Sequence, residues 1–136
     1  MVNNTTAGRW FRRVVWIGIF ANLALALPTM AAPSEIIARA GLPTATPDLW
    51  PRFAALLLVL LSAFYIPAGR DIDRYRVTAW LTVVSRLTGV VFFMFEPSYR
   101  LFMYFDLVFL IPQAALLTLA VRSVAPVTKT MAMSAV

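Results

Sequence analysis

Four long apolar runs, separated by short polar segments, constrain this chain more than any other feature. They cover about residues 11–32, 53–68, 77–95 and 101–121, the second extending back toward Trp50. A hydrocarbon core about 30 Å thick needs about 20 helical residues to cross it. In lipid the backbone has no water to bond, so runs of this length predict α-helices, whose hydrogen bonds close within the segment. The predicted fold is all-α: one integral membrane domain over residues 1–136, built as a bundle of four transmembrane helices. Composition agrees, with 13% charged residues where a soluble domain carries roughly 25%. The apolar centre of the first run, with Arg12 and Arg13 before it and "TMAAP" after it, also has the outline of a cleaved signal peptide. Its apolar stretch is longer than such segments use, and it lacks a clean small-x-small cleavage site.

The connections differ in character. Residues 1–9, "MVNNTTAGR", are polar and read as mobile. The first loop is the longest, and within it "PSEIIARAGLP" predicts a short helix. Ser34 suits its N-cap, Glu35 its first turn, Gly41 its C-terminal cap, and Pro43 stops it. Ile36, Ile37, Ala40 and Leu42 give that helix an apolar side, which suits a membrane interface. The segment "GRDIDRYR" between spans two and three and the turn "EPSYR" between three and four are short. Spans two, three and four must therefore be antiparallel neighbours. Pro126 breaks the tail, which is too short for a fifth span.

Basic residues near span ends predict orientation. Arg9, Arg12, Arg13, Arg70, Arg74, Arg76, Arg122 and Lys129 fall on one side; Arg39, Arg52 and Arg100 fall on the other. This bias places both termini in the cytoplasm. Trp10, Trp16, Trp50, Tyr75, Trp80, Tyr99 and Tyr104 lie near span ends, where amphipathic rings favour the headgroup region. The net charge of +6 is spread over several loops and forms no basic stripe with interleaved aromatics, so no nucleic acid is expected as a partner. Membrane lipids, other membrane subunits or a second copy of the chain are the expected partners.

The chain contains no histidine and no cysteine. That removes the usual ligands of haem, iron–sulfur clusters, zinc and copper, and with them thiol chemistry and histidine-based nucleophilic catalysis. Six carboxylates in all make a tight site of oxygen ligands for a metal ion unexpected. No catalytic residue, metal site or resident cofactor is expected, although the interior suits a quinone or a lipid.

The informative residue is Arg86. The stretch Val77–Phe95 holds no other charge, and a lone arginine there costs from about 2.5 to above 10 kcal/mol, depending on how it is measured. It must face the bundle, a partner or water. Asp106 on span four is the candidate counter-ion. At about 1.5 Å per residue from the turn shared by spans three and four, Arg86 and Asp106 differ in depth by about 7 Å, within an arginine's reach. Glu96 lies closer to Arg100 and reads as a second, interfacial pair. Gln113 is seven residues past Asp106 and shares its face. Asn22 in span one and Tyr65 in span two complete the candidate polar site: Arg86, Asp106, Gln113, Asn22 and Tyr65. The pair either locks two helices in register or offers an anionic or carbonyl-bearing ligand a fixed charge and a fork of donors. Pro112 frees the carbonyl of Val108 and bends span four beside this site.

The four spans, the outer "PSEIIARAGLP" and the following "LWPRFAALLLVLLSAFYIPAGRD" together resemble the DoxX-like superfamily of small four-helix membrane proteins over about residues 12–122. In that group a helix after span one ends in a Gly-Leu-Pro type of turn, matched by Gly41, Leu42 and Pro43. The resemblance implies a four-span bundle and, by analogy with some relatives, association with quinone-linked oxidoreductases; it carries over no catalytic residue. The favoured expectation is a non-catalytic accessory or scaffold subunit of a bacterial inner-membrane complex. The alternative is a small-molecule or lipid-binding membrane protein, or a small transporter, with its site around Arg86. An enzyme acting alone is the third reading.

Overall fold

The computed structural model describes residues 1–124 and is helical almost throughout. Four helices are long and apolar enough to cross a membrane. They are α1 (Thr6–Ala31), α3 (Leu49–Arg70), α4 (Arg76–Met94) and α5 (Arg100–Val124), with the short α2 (Pro33–Arg39) between the first two. Single 3-10 turns cover Val2–Asn4 and Pro97–Tyr99. Pro126 and Lys129, used above for the tail and for orientation, lie outside the described residues.

The helices outrun the apolar segments because polar residues cap and extend them. Thr5 accepts a hydrogen bond from the backbone N–H of Gly8 at 2.9 Å and so starts α1 within the polar N-terminus. Pro28, Pro67 and Pro112 all lie inside continuous helices. α2 occupies its expected place with a different start. Pro33, whose missing N–H costs nothing in a first turn, takes the first helical position, and Ser34 makes no cap bond. Its end is as expected: Gly41 takes φ +66°. There the N–H of Leu42 reaches the carbonyl of Ile37 and that of Gly41 reaches Ala38, both at 3.1 Å, the paired bonds of a Schellman cap.

α1 packs on α3 and α5, and α4 packs on the same two, which gives the order α1–α3–α4–α5 around the bundle. The α3–α4 seam is the slightest of the four. The core is unevenly distributed along the axis. Phe11, Val15, Ile72, Leu117 and Ala120 have no exposed surface and fill the end that holds the start of α1 and the end of α5. Exposed large apolar side chains such as Ile17, Phe64, Leu81 and Ile111 coat the outside, as lipid-facing helices require.

The N-terminal residues, read from sequence as mobile, are docked instead. The backbone N–H groups of Val2 and Asn3 donate to the two carboxylate oxygens of Asp73 at 2.9 and 3.0 Å. The Asn3 side chain donates to Asp71 at 2.6 Å and accepts from the backbone N–H of Ile72 at 2.9 Å. Val2 and Ile72 are then buried together as the plug of that end. Polarity alone misled here, because Asn3 spends its polar groups on the α3–α4 loop while Val2 supplies the burial.

The backbone N–H of Arg74 and the Asn3 amide hold the Asp71 carboxyl below its ordinary pKa. A depressed carboxylate pKa adds stability above the unfolded value, and the stability is lost as pH falls through the folded value. Amide exchange at Val2 and Asn3, measured relative to the intrinsic rate at each pH, should therefore accelerate on acidification below the normal aspartate range. Asp73→Ala should accelerate it at neutral pH by about tenfold, the factor for losing one or two modest hydrogen bonds. Unchanged exchange in both experiments would mean that the segment is not held by these carboxylates.

Candidate functional site: a buried ion pair beneath an apolar cavity

Arg86 projects from α4 into the bundle and is 3% exposed. Its Nη1 donates to Asp106 Oδ1 of α5 at 2.6 Å, and its Nη2 donates to Asn22 Oδ1 of α1 at 2.9 Å. The amide nitrogen of Asn22 donates in turn to Ser62 Oγ of α3 at 3.1 Å, and Ser62 Oγ donates to the Leu58 carbonyl at 2.8 Å. One continuous network thus links all four spanning helices around a single guanidinium. Arginine suits this position because its planar fork offers donors in several directions at once.

The charge sits in an aromatic collar. The guanidinium carbon lies 5.0 Å from the Phe109 ring centroid, 5.4 Å from Phe105 and 6.0 Å from Tyr65. Ring faces carry negative quadrupole potential, so the collar stabilises a cation that has lost most of its water. Tyr65 therefore serves the site through its ring. Its hydroxyl pairs with Ser85 Oγ instead, and since Ser85 donates to the Thr82 carbonyl, Tyr65 is the donor in that pair.

Asp106 can approach α4 because residue 89 is glycine. A Cβ built there would lie 2.0 Å from Asp106 Oδ2 and 2.9 Å from its Cγ. Gly89 is one turn from Arg86 on the same face, so the glycine opens the gap through which the acid reaches the base.

Above the pair is a cavity of about 460 Å³. Leu25 and Ala26 of α1, Ala55 and Leu58 of α3, and Phe102 and Phe105 of α5 form its walls, while Ile36 and Ile37 of α2 cover it. Arg86 and Asp106 are its only charged lining residues. On their helices they lie at its deep end: the other α4 and α5 lining residues, Phe93, Leu101, Phe102 and Phe105, all lie nearer the connecting turn. The volume lies within the range of about 300–1,000 Å³ usual for small-molecule pockets, and the pattern of apolar walls with a few convergent polar groups is also usual.

Of the five expected site residues, the structure gathers four: Arg86, Asp106, Asn22 and, through its ring, Tyr65. Gln113 is separate. It is fully buried, neither its Oε1 nor its Nε2 has a hydrogen-bond partner, and it does not line the cavity. Sharing a face with Asp106 put it in line, but about 10 Å along the helix from the pair. Ser62 is a site residue to which the sequence gives no role, because nothing in one chain's pattern pairs it with Asn22. Gly89 is another, since its role appears only where Asp106 approaches it. Glu96 and Arg100 do not pair; among the described residues the ion pairs are Arg86–Asp106 and the exposed Glu35–Arg39 on α2. The same residues hold no cluster of acidic side chains fit for a metal ion.

The site can hold a charge in a dry setting and offer hydrogen bonds at the bottom of an apolar chamber. It has no nucleophile paired with a base. Comparison with protein-family models, with curated proteins and with solved structures gives no match for this chain, so the residues of the site are themselves the ground for assigning it a role.

Proposed function

We propose that this protein is a membrane-embedded binding protein for a small amphipathic molecule, held in the cavity beneath α2 with its polar end at Arg86 and Asp106. The observation that carries this reading is the cavity of about 460 Å³ ending on the ion pair. A pair that served only to lock α4 to α5 would need no chamber above it. A packed core closes the opposite end of the bundle, which favours binding over passage straight through. The accessory-subunit reading draws on composition and on the DoxX-like resemblance; the apolar outer faces suit lipid as well as a partner subunit, and no particular surface favours it.

The test is extraction in native-lipid polymer discs, followed by mass spectrometry of bound small molecules. The wild-type protein should retain an amphiphile near one per chain. Leu58→Trp, which fills the chamber from α3, should lose it while still unfolding cooperatively as a folded bundle. Equal retention by both, or none by the wild type, would overturn the proposal.

The setting proposed is a bacterial inner membrane with both termini on the cytoplasmic side, from the bias of basic residues. Reporters fused after Val136 and within the α2–α3 connection should report opposite sides, the first cytoplasmic. A reversed pair of results would place the cavity at the cytoplasmic face.

A further inference from the structure

We infer that the ligand of this cavity is a single-chain amphiphile with an uncharged, hydroxyl-bearing head group; the inference rests on the cavity being a ligand site, as proposed above. Charge is the first reason. Arg86 and Asp106 bond at 2.6 Å, and no other charged side chain lines the chamber, so the site is neutral before any ligand arrives. An anion drawn to Arg86 would face the Asp106 carboxylate, and a cation drawn to Asp106 would face the guanidinium. Neither ion would find a net opposite charge to offset its lost hydration, a cost of several kcal/mol per ion even after relaxation.

Position is the second reason. The charged groups lie at the deep end, and the apolar cover of Ile36 and Ile37 lies at the mouth. A bilayer lipid keeps its head at the surface, whereas a ligand matched to this chamber carries its head toward mid-membrane. A charged head pays heavily for that depth and a hydroxyl pays little.

Bonding capacity is the third reason. Asp106 accepts through Oδ1 only, and Arg86 Nε is buried with no partner. The pair therefore has one acceptor left open, Asp106 Oδ2, whereas the Nε presents no surface to the cavity. A hydroxyl donates to that acceptor without bringing a charge of its own. Size sets the chain: at roughly 30 Å³ per water-sized group, about 460 Å³ holds on the order of fifteen such groups, enough for one chain and its head.

The experiment uses the full protein in phospholipid nanodiscs and four probes of equal chain length: a monoacylglycerol, an alkyl sulfonate, an alkyltrimethylammonium and the plain alkane. Affinity is read from the concentration dependence of the unfolding temperature, with Leu58→Trp as the control for non-specific uptake. The monoacylglycerol should bind at least about tenfold more tightly than each of the others. Asp106→Asn, which leaves the charge of Arg86 uncompensated, should improve sulfonate binding by at least about tenfold. If either ion or the alkane matches the monoacylglycerol in the wild type, the neutral-head inference is wrong while the cavity reading stands. If no probe gives a shift that Leu58→Trp abolishes, the cavity reading itself falls. Should Asp106→Asn fail to fold, the wild-type ranking decides alone.

Discussion

Arg86→Met should destabilise the protein by about 3–5 kcal/mol, the usual cost of stranding a buried charge by removing its partner. Met keeps the length and apolar stem of the arginine, so the loss reports on charge and hydrogen bonds more than on a hole. The variant leaves Asp106 without the donor at 2.6 Å and Asn22 Oδ1 without the donor at 2.9 Å. Asp106→Leu should cost a similar amount, because the guanidinium then keeps only Asn22 and its aromatic collar. The double variant should recover much of the loss, since removing both members of a buried pair is often near neutral. The measurement is unfolding in detergent or discs across a double-mutant cycle. Additive single effects would mean that the two residues do not interact energetically, and the network linking the four helices would lose its centre.

Gly89→Ala should be among the most damaging single-methyl changes in the chain. The new Cβ would stand 2.0 Å from the Asp106 carboxylate, too close for any real contact. Asp106 has only one carbon between backbone and carboxylate, so it can give way only by leaving Arg86. The expected cost is about 1–3 kcal/mol, the range for overpacking a filled core, plus the weakening of the ion pair. The distinguishing result comes in an Asp106→Ala background. There the clash is gone, and alanine's better helix propensity should make Gly89→Ala neutral or stabilising by up to about 1 kcal/mol. A penalty that persists in that background would assign it to some other neighbour of Gly89. Ligand retention should follow the same pattern, because the methyl displaces the acid from the foot of the cavity.

The four spans, their order along the chain and the pairing of Arg86 with Asp106 were legible from sequence. These follow from local rules: the length needed to cross hydrocarbon, the cost of a lone charge within it, and a helical rise that sets two residues at comparable depth across a short turn. The Gly41 end of α2 was legible for the same reason, since a left-handed residue at a helix end favours glycine wherever the rest of the chain goes.

The remainder needed the helices to be placed beside one another. Asn22 joins Arg86 and Ser62 because α1 lies against α3 and α5, an adjacency that no single segment encodes. Gln113 has the right face and the wrong depth, so periodicity selected it and distance removed it. Asn3 reaches Asp71 and Ile72 across nearly seventy residues of chain, and only the folded bundle brings them together. The cavity is the plainest case. Ile36, Leu58 and Phe105 are ordinary apolar residues in a chain that is 61% hydrophobic, and each would serve equally well against lipid. Whether such side chains meet or stand apart is set by the spacing between helix axes, a property of the assembled bundle. An ion pair can be anticipated from one sequence because its charges are scarce; the empty space above it cannot, because apolar residues are everywhere and only tertiary packing says where they fail to touch.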